Sequence, residues 1–369
     1  MTLTRVETIT SYFKLVSDKT VWSFVRVQSA CGLVGWGEAT VNGKARELDQ
    51  EVTRQHARLS GTDVDVMQPI APINFSKCGW AVVSAIDQAL WDIMAQREGK
   101  SLRDMLGGSR RNDVAIYANI NRGTLDRSPE GFAATAAAAA SAGFEAIKIA
   151  PFDDLTPGIA TTAAGASLIS AGMDRIAATH AAIRGRARLQ VDCHWRFTPQ
   201  TATSVLREAT QIGITWFECP LPETADNIPA IRRLRGIAND GGVQLAGLEE
   251  NSTLTNFLPW LEVYDVMMPD VKYAGGLTEL FRIVDTLRDN GVDVSLHNPT
   301  GSVCHATSLH VTAAMPEGLP LEMQWGETDL LFDLPMVPLT RPSGGRSLLP
   351  SGSGHGAGLD IADLASAPP

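Results

Sequence analysis

The chain has 369 residues, 44% of them hydrophobic, and a net charge of −10. That length and apolar content accommodate one large core and one smaller core, and no apolar run reaches the roughly 20 residues that span a bilayer. The acidic balance, without a concentrated basic run, argues against a nucleic-acid surface but not against a small anionic substrate held by a local cation. Cys31, Cys78, Cys193, Cys219 and Cys304 are widely spaced with no C-x-x-C pair, so neither a disulfide framework nor a zinc ribbon is expected. Met1 to Glu7 lack the basic start, apolar core and cleavage site of a secretion signal, and a cytoplasmic location is expected.

From Leu3 to Glu38 the pattern is that of antiparallel strands. Val21 to Val27 alternates, Gly32 turns the chain, and Leu33 to Glu38 runs back. Between Glu47 and Gly107 the pattern turns helical, with Trp80, Val83, Ile86, Leu90, Ile93 and Met94 near helical spacing. Residues 1–112 are therefore expected to form a small α+β domain. After Asn112, short β-rich runs alternate with helical segments. The predicted strands are Val114–Asn119, Ala146–Ile149, Arg188–Val191, Thr215–Phe217, Gln244–Leu248, Val263–Met268, Asp293–Leu296 and Pro320–Met323. Helices are expected between them, for example over Pro129–Ser141, Pro199–Ile212, Leu277–Asn290 and Val303–Ala314. Eight such repeats over 113–327 predict a (β/α)8 barrel, with 328–369 packing back onto the first domain.

In a barrel of this kind the chemistry lies at the C-terminal ends of the strands. Strand three ends in Asp192, strand four in Glu218, and strand five at Glu249-Glu250. Neighbouring strands are about 4.8 Å apart, so three carboxylates can meet, and a hard divalent cation, Mg²⁺ before Mn²⁺, offsets their repulsion. Glu249 or Glu250 can be the third; Glu249 keeps the simpler register. Asp270 ends strand six and His297 ends strand seven, an arrangement that can orient an imidazole base. Lys148 lies on strand two, as base or as electrostatic support, and strand eight carries Glu322, with Glu327 beyond it. Cys193 and Cys219 alternate away from the carboxylates toward the helices. Trp80 and Trp91 are read as core. No H-x-H or H-E-x-x-H pattern offers ligands for zinc hydrolysis.

Gly35-Trp36-Gly37-Glu38-Ala39, Ala85-Ile86-Asp87-Gln88-Ala89-Leu90-Trp91-Asp92 and Leu106-Gly107-Gly108 lie in the first domain. The barrel carries Val191-Asp192, Trp216 to Leu221, Ala246 to Glu249, Met268-Pro269-Asp270 and Leu296-His297-Asn298. In this order the fragments resemble the mandelate racemase-like branch of the enolase superfamily over nearly the whole chain. The resemblance implies a Mg²⁺ site at Asp192, Glu218 and Glu249, an Asp270–His297 dyad, a capping domain over a small carboxylate substrate, and a homo-oligomer. Two departures stand out. The branch usually ends strand two with Lys-x-Lys, whose second Lys is a base, but here Ala150 holds that position. Strand three reads Asp192-x-His194 where many relatives have Asn, and a related mannonate dehydratase group uses such a His as acid or base. Together these imply an acid-sugar dehydratase, with Lys148, His194, His297, Asp270 and Glu322 at the reacting end and Arg196, Asn298, Asn42 and Lys44 available for substrate hydroxyls. A racemase, epimerase or lactone cycloisomerase working through the same enediolate is the alternative.

Overall fold

The computed structural model describes residues 3–17, 20–68, 76–107, 111–316 and 318–369. Its first layer is an antiparallel meander of β1 (Leu3–Ser17), β2 (Thr20–Ser29) and β3 (Val34–Glu38), followed by α1 (Ala45–Leu59), β4 (Asp63–Asp65), α2 (Lys77–Arg97) and α3 (Leu102–Leu106). The strand order is β3-β2-β1-β4. The short β4, which the sequence does not announce, pairs antiparallel with the start of β1. Helix α2 is buried from Cys78 through Ala95 except at Trp80, because one side meets the meander and another meets the barrel. Ser76 starts it by accepting the Gly79 N–H. Gly108 of the resembling fragment lies outside the described residues.

The second layer runs β5 (Asp113–Asn119), α4 (Pro129–Ser141), β6 (Ala146–Ile149), α5 (Ala163–Ile183), β7 (Arg188–Asp192), α6 (Pro199–Ile212), β8 (Trp216–Glu218) and α7 (Ile228–Asp240). It continues with β9 (Gln244–Gly247), α8 (Thr253–Phe257), β10 (Val266–Met267), α9 (Leu277–Asp289), β11 (Asp293–Val294), α10 (Ser302–Ala314) and β12 (Leu321–Gln324). The parallel ladder reads β11-β10-β9-β8-β7-β6-β5-β12, which is a (β/α)8 barrel. Side chains bridge the remaining seam between β11 and β12. Ser295 Oγ donates to the Pro320 carbonyl at 2.8 Å, and Asn298 Nδ2 donates to the Glu322 carbonyl at 2.8 Å. Pro at the first turn and a Ser or Thr cap open α4 and α6, and Gly213 closes α6 in the left-handed region. Strands six and seven are shorter than their apolar runs. Val263 sits in a buried turn whose N–H meets the Trp260 carbonyl, and an apolar run does not distinguish such a turn from a strand.

After the short helix α11 (Leu330–Asp333), β13 (Arg346–Leu348) pairs antiparallel with β5. The chain then returns to the first layer. The His355 N–H donates to Asp92 at 3.0 Å, His355 Nε2 lies 2.9 Å from the Trp36 carbonyl, and Ala365 bridges Phe13. Among the described residues no helix is long and apolar enough to cross a membrane.

Candidate active site

At the C-terminal ends of β7, β8 and β9, Asp192, Glu218 and Glu249 bring carboxylate oxygens within 4.8 Å of one another, all buried. The backbone enters the left-handed region at His194 (φ 46°), Trp195 (56°), Cys219 (43°) and Leu248 (70°). Four non-glycine residues in that conformation, all flanking the three carboxylates, mark backbone held against its preference at a working site. Glu250 pairs with Lys77 of α2 at the cavity wall, and Glu249 is the acid that joins the cluster.

The charges are unevenly matched. Asp192 receives His194 Nε2 at 2.8 Å. Burial raises its pKa, but His194 and then Lys148 outweigh this and hold it below the ordinary carboxylate range. Glu218 accepts from Lys148 at 2.6 Å and from the Trp216 indole at 2.7 Å, yet burial still leaves it raised. Glu249 is raised furthest, by burial and then by repulsion from Asp192 and Glu218. Its Oε2 is buried without a hydrogen-bond donor, and His297 Nε2 lies 3.5 Å away. Three buried carboxylates with one orphaned oxygen and an all-oxygen donor set fit a hard divalent cation.

Lys148 sits beneath this cluster at 1% exposure, with Glu322 at 2.8 Å on its other side. Burial would lower the ammonium, but Glu218 and Glu322 outweigh it and hold the group well above its usual range. Glu322 also accepts from Asn119 Nδ2 at 2.7 Å and from the Asn298 N–H at 3.1 Å. Burial raises it, yet Lys148 and His297 hold it below the usual range. Lys148, Asn119 and Asn298 thus meet its carboxylate from three directions under the site. Across the mouth, His297 Nδ1 lies 2.7 Å from Asp270 Oδ2, while Lys272 Nζ is 3.2 Å from the same oxygen. Lys272 leads His297 in outweighing burial and keeping Asp270 ionised.

A cavity of about 360 Å³ opens over these groups, with Asp192, Glu249, His194 and His297 in its wall and Thr40, Val41, Asn42 and Lys77 reaching in from the first layer. Of the residues offered for substrate hydroxyls, Asn42 lines this cavity. Arg196, Lys44 and Asn298 do not line it. The Arg196 guanidinium donates to the Leu155 carbonyl at 2.9 Å, Lys44 pairs with Glu47 at 2.7 Å, and Asn298 is turned under the site toward Glu322 and His305. Lys272, Asn121, Arg122 and Gln324 line it instead. Lys272 and Gln324 stand two residues beyond Asp270 and Glu322, so the alternation that singles out His194 also points to them. A larger cavity, about 730 Å³, lies between β3 and the C-terminal stretch, but it gathers no such cluster, and its buried acid Asp92 is already bonded to His355 and Gln96.

Fold and site define a (β/α)8 barrel enzyme with its reactive groups at the strand ends. The model of enolase C-terminal domain-like sequences matches residues 131–364, and that of the mandelate racemase/muconate lactonizing enzyme N-terminal domain matches residues 9–107. The chain belongs to the mandelate racemase/muconate lactonizing enzyme branch of the enolase superfamily. It is 28% identical over 300 residues to D-galactonate dehydratase of Verminephrobacter eiseniae, covering 79% of this chain and 75% of that one. The Klebsiella pneumoniae D-galactonate dehydratase is 27% identical over the same shares. Among solved structures, an enolase superfamily member from Salmonella Typhimurium superposes with a TM-score of 0.86 at 21% identity, covering 99% of this chain and 98% of that one. A mandelate racemase/muconate lactonizing enzyme from Jannaschia sp. gives 0.84 at 22%, over 97% and 96%.

Proposed function

We propose that this chain is a Mg²⁺-dependent hydro-lyase that converts an acid sugar, an aldonate or aldarate, into a 2-keto-3-deoxy acid. The observation that carries this is one cavity walled by two imidazoles: His297, held from behind by Asp270 and 3.5 Å from Glu249, and His194, on Asp192. The D-galactonate dehydratases among its relatives support the same reaction class.

A proton beside a carboxylate is very weakly acidic, because its removal leaves two negative charges on one small group. Bound at Asp192, Glu218 and Glu249, Mg²⁺ supplies the positive charge that offsets them, as is general for enolase-superfamily sites. His297 Nε2 takes the proton from C2, with Nδ1–H held by Asp270. Lys272 keeps Asp270 ionised, so the ring stays oriented throughout. As the C3–O bond breaks, His194 gives a proton to the departing hydroxyl, water leaves, and the enol tautomerises to the keto acid. Lys148 stays on Glu218 and Glu322 as fixed support. Two-base racemisation is disfavoured, because the strand-two position expected to carry the second base is Ala150.

In this reading residues 1–112 with 328–369 cap the substrate and 113–327 perform the chemistry. A homo-oligomer is expected from the family, and light scattering tests it. The test of function is a screen of aldonates and aldarates for 2-keto acid, with Mg²⁺ and with EDTA, beginning with D-galactonate. Metal-dependent keto acid from one stereochemical series is the expected result. Solvent deuterium entering C2 without keto acid would replace the dehydratase with an epimerase.

A further inference from the structure

Gln324 ends β12 two residues beyond Glu322, so its side chain shares the inner face with that buried carboxylate. It is 5% exposed and lines the cavity, and neither Oε1 nor Nε2 has a hydrogen-bond partner. Its register partner on β5 is Asn119, and just beyond stands Asn121, a second cavity-lining amide whose buried Oδ1 also lacks a donor. Buried amides without a protein partner, set in a cavity wall, are placed to complete the hydrogen bonds of a ligand.

Strand eight stands across an eight-stranded barrel from strand four, so these amides face the carboxylate cluster from the opposite side of the mouth. A substrate whose carboxylate sits at Asp192, Glu218 and Glu249 directs the rest of its chain toward them. An amide offers donors and an acceptor side by side, and so does each hydroxyl of a vicinal pair. Arg122, the cation next to Asn121 on this wall, pairs with Glu327 at 3.4 Å, so a carboxylate of the chain itself already partly balances its charge.

We propose that Gln324, with Asn121, forms a neutral hydroxyl-recognition subsite that selects an aldonate, a polyhydroxy monoacid extending beyond C3, over an aldarate or a short hydroxy acid. This rests on the dehydratase reading for the seat of the substrate carboxylate. The test compares the full-length protein with Gln324→Met, which keeps the volume and removes the amide. Both are assayed for keto acid and titrated calorimetrically, with Mg²⁺, against the C5 and C6 aldonates, galactarate and 2,3-dihydroxybutanoate.

The wild type is expected to favour its best aldonate over 2,3-dihydroxybutanoate by about 100-fold in kcat/KM, toward the upper end of what leaving a buried polar group unpaired costs. Gln324→Met should raise KM for that aldonate about 30-fold on the same basis, with kcat and the short acid little changed, so the preference collapses. Equal losses on both probes, an unchanged KM for the aldonate, or a wild-type preference for galactarate would overturn the subsite. Should Gln324→Met not fold, Asn121→Ala carries the same comparison. Aldonate binding without keto acid would remove the dehydratase reading while the affinity ratios still decide the subsite; binding of no aldonate would remove the subsite as well.

Discussion

His297 is held from both sides: Asp270 fixes Nδ1 at 2.7 Å, and Nε2 faces the carboxylate cluster at 3.5 Å from Glu249. His297→Asn removes the base while keeping a short polar side chain, and is expected to lower kcat by about 10²- to 10⁴-fold, the usual worth of general acid–base catalysis. Mn²⁺ affinity, followed by electron paramagnetic resonance, should stay within about threefold, because the imidazole contributes no oxygen to the donor set. Loss of Mn²⁺ binding together with activity would instead make His297 a support for Glu249. Asp192 and Glu218 end strands, and Glu249, Asp270 and His297 lie within three residues of strand ends, so topology brings them toward one another. Arg196 and Lys44 carry charge near the site in sequence, but their direction is set by which carbonyl or carboxylate lies within reach, Leu155 and Glu47, and no spacing rule contains that.

Between strand β3 and helix α2 the approach is too close for a side chain. A Cβ on Gly37 would lie 1.9 Å from the Ala85 carbonyl oxygen, and one on Gly35 would lie 2.0 Å from that of Ala89. Glycine at these two positions is therefore what allows the meander to sit on α2. Gly37→Ala forces strand and helix apart and is expected to cost about 3 kcal/mol, toward the upper end of overpacking effects, measured as a lower urea midpoint. Gly236 on α7 is the matched control, since a Cβ there meets nothing within 4 Å. Gly236→Ala should stabilise by about 0.5–1 kcal/mol through helix propensity. Equal effects from the two substitutions would show that packing against Ala85 is not what the glycine serves. Helices α4 and α6 are read correctly from sequence to the residue, because Pro, Ser and Thr mark their first turns. Strand β4 is missed because three residues carry no periodicity.

The two layers are joined by a buried carboxylate. Glu38 at the end of β3 accepts from Thr300 Oγ1 at 2.8 Å, the Gly301 N–H at 2.7 Å and the Cys304 N–H at 3.0 Å, at the start of α10. A carboxylate at a helix N-terminus is doubly favoured, by unpaired N–H groups and by the helix dipole. Gln88 adds a weaker bond from α2 to the Val271 carbonyl at 3.5 Å, and Asp87 accepts the Leu277 N–H at 2.5 Å. Burial pushes Asp87 up to about 7 in spite of that bond. Glu38→Ala is expected to cost about 3 kcal/mol or more, because it strands several buried donors at once. It should also lower kcat, since the loop it anchors leads directly from His297 and Asn298 into α10. Wild-type stability in denaturant titration would show that the layers are held elsewhere. The Lys77–Glu250 pair spans the same layers but is about 40% exposed on each side, and its coupling should stay under about 1 kcal/mol.

The alternating β and α rhythm of the barrel, the meander before it, and the acids and histidine near the strand ends are legible in the amino-acid order, because each follows from periodicities of two and 3.6 residues and from the fixed polarity of parallel strands. Tertiary contacts alone place Lys148 between Glu218 and Glu322, pair Glu250 with Lys77 outside the cluster, and put Gln324 rather than Arg196 in the cavity wall. The physical reason is that ionisation and hydrogen bonding depend on partners brought together from distant parts of the chain, and burial among those partners determines which form of each group is stable.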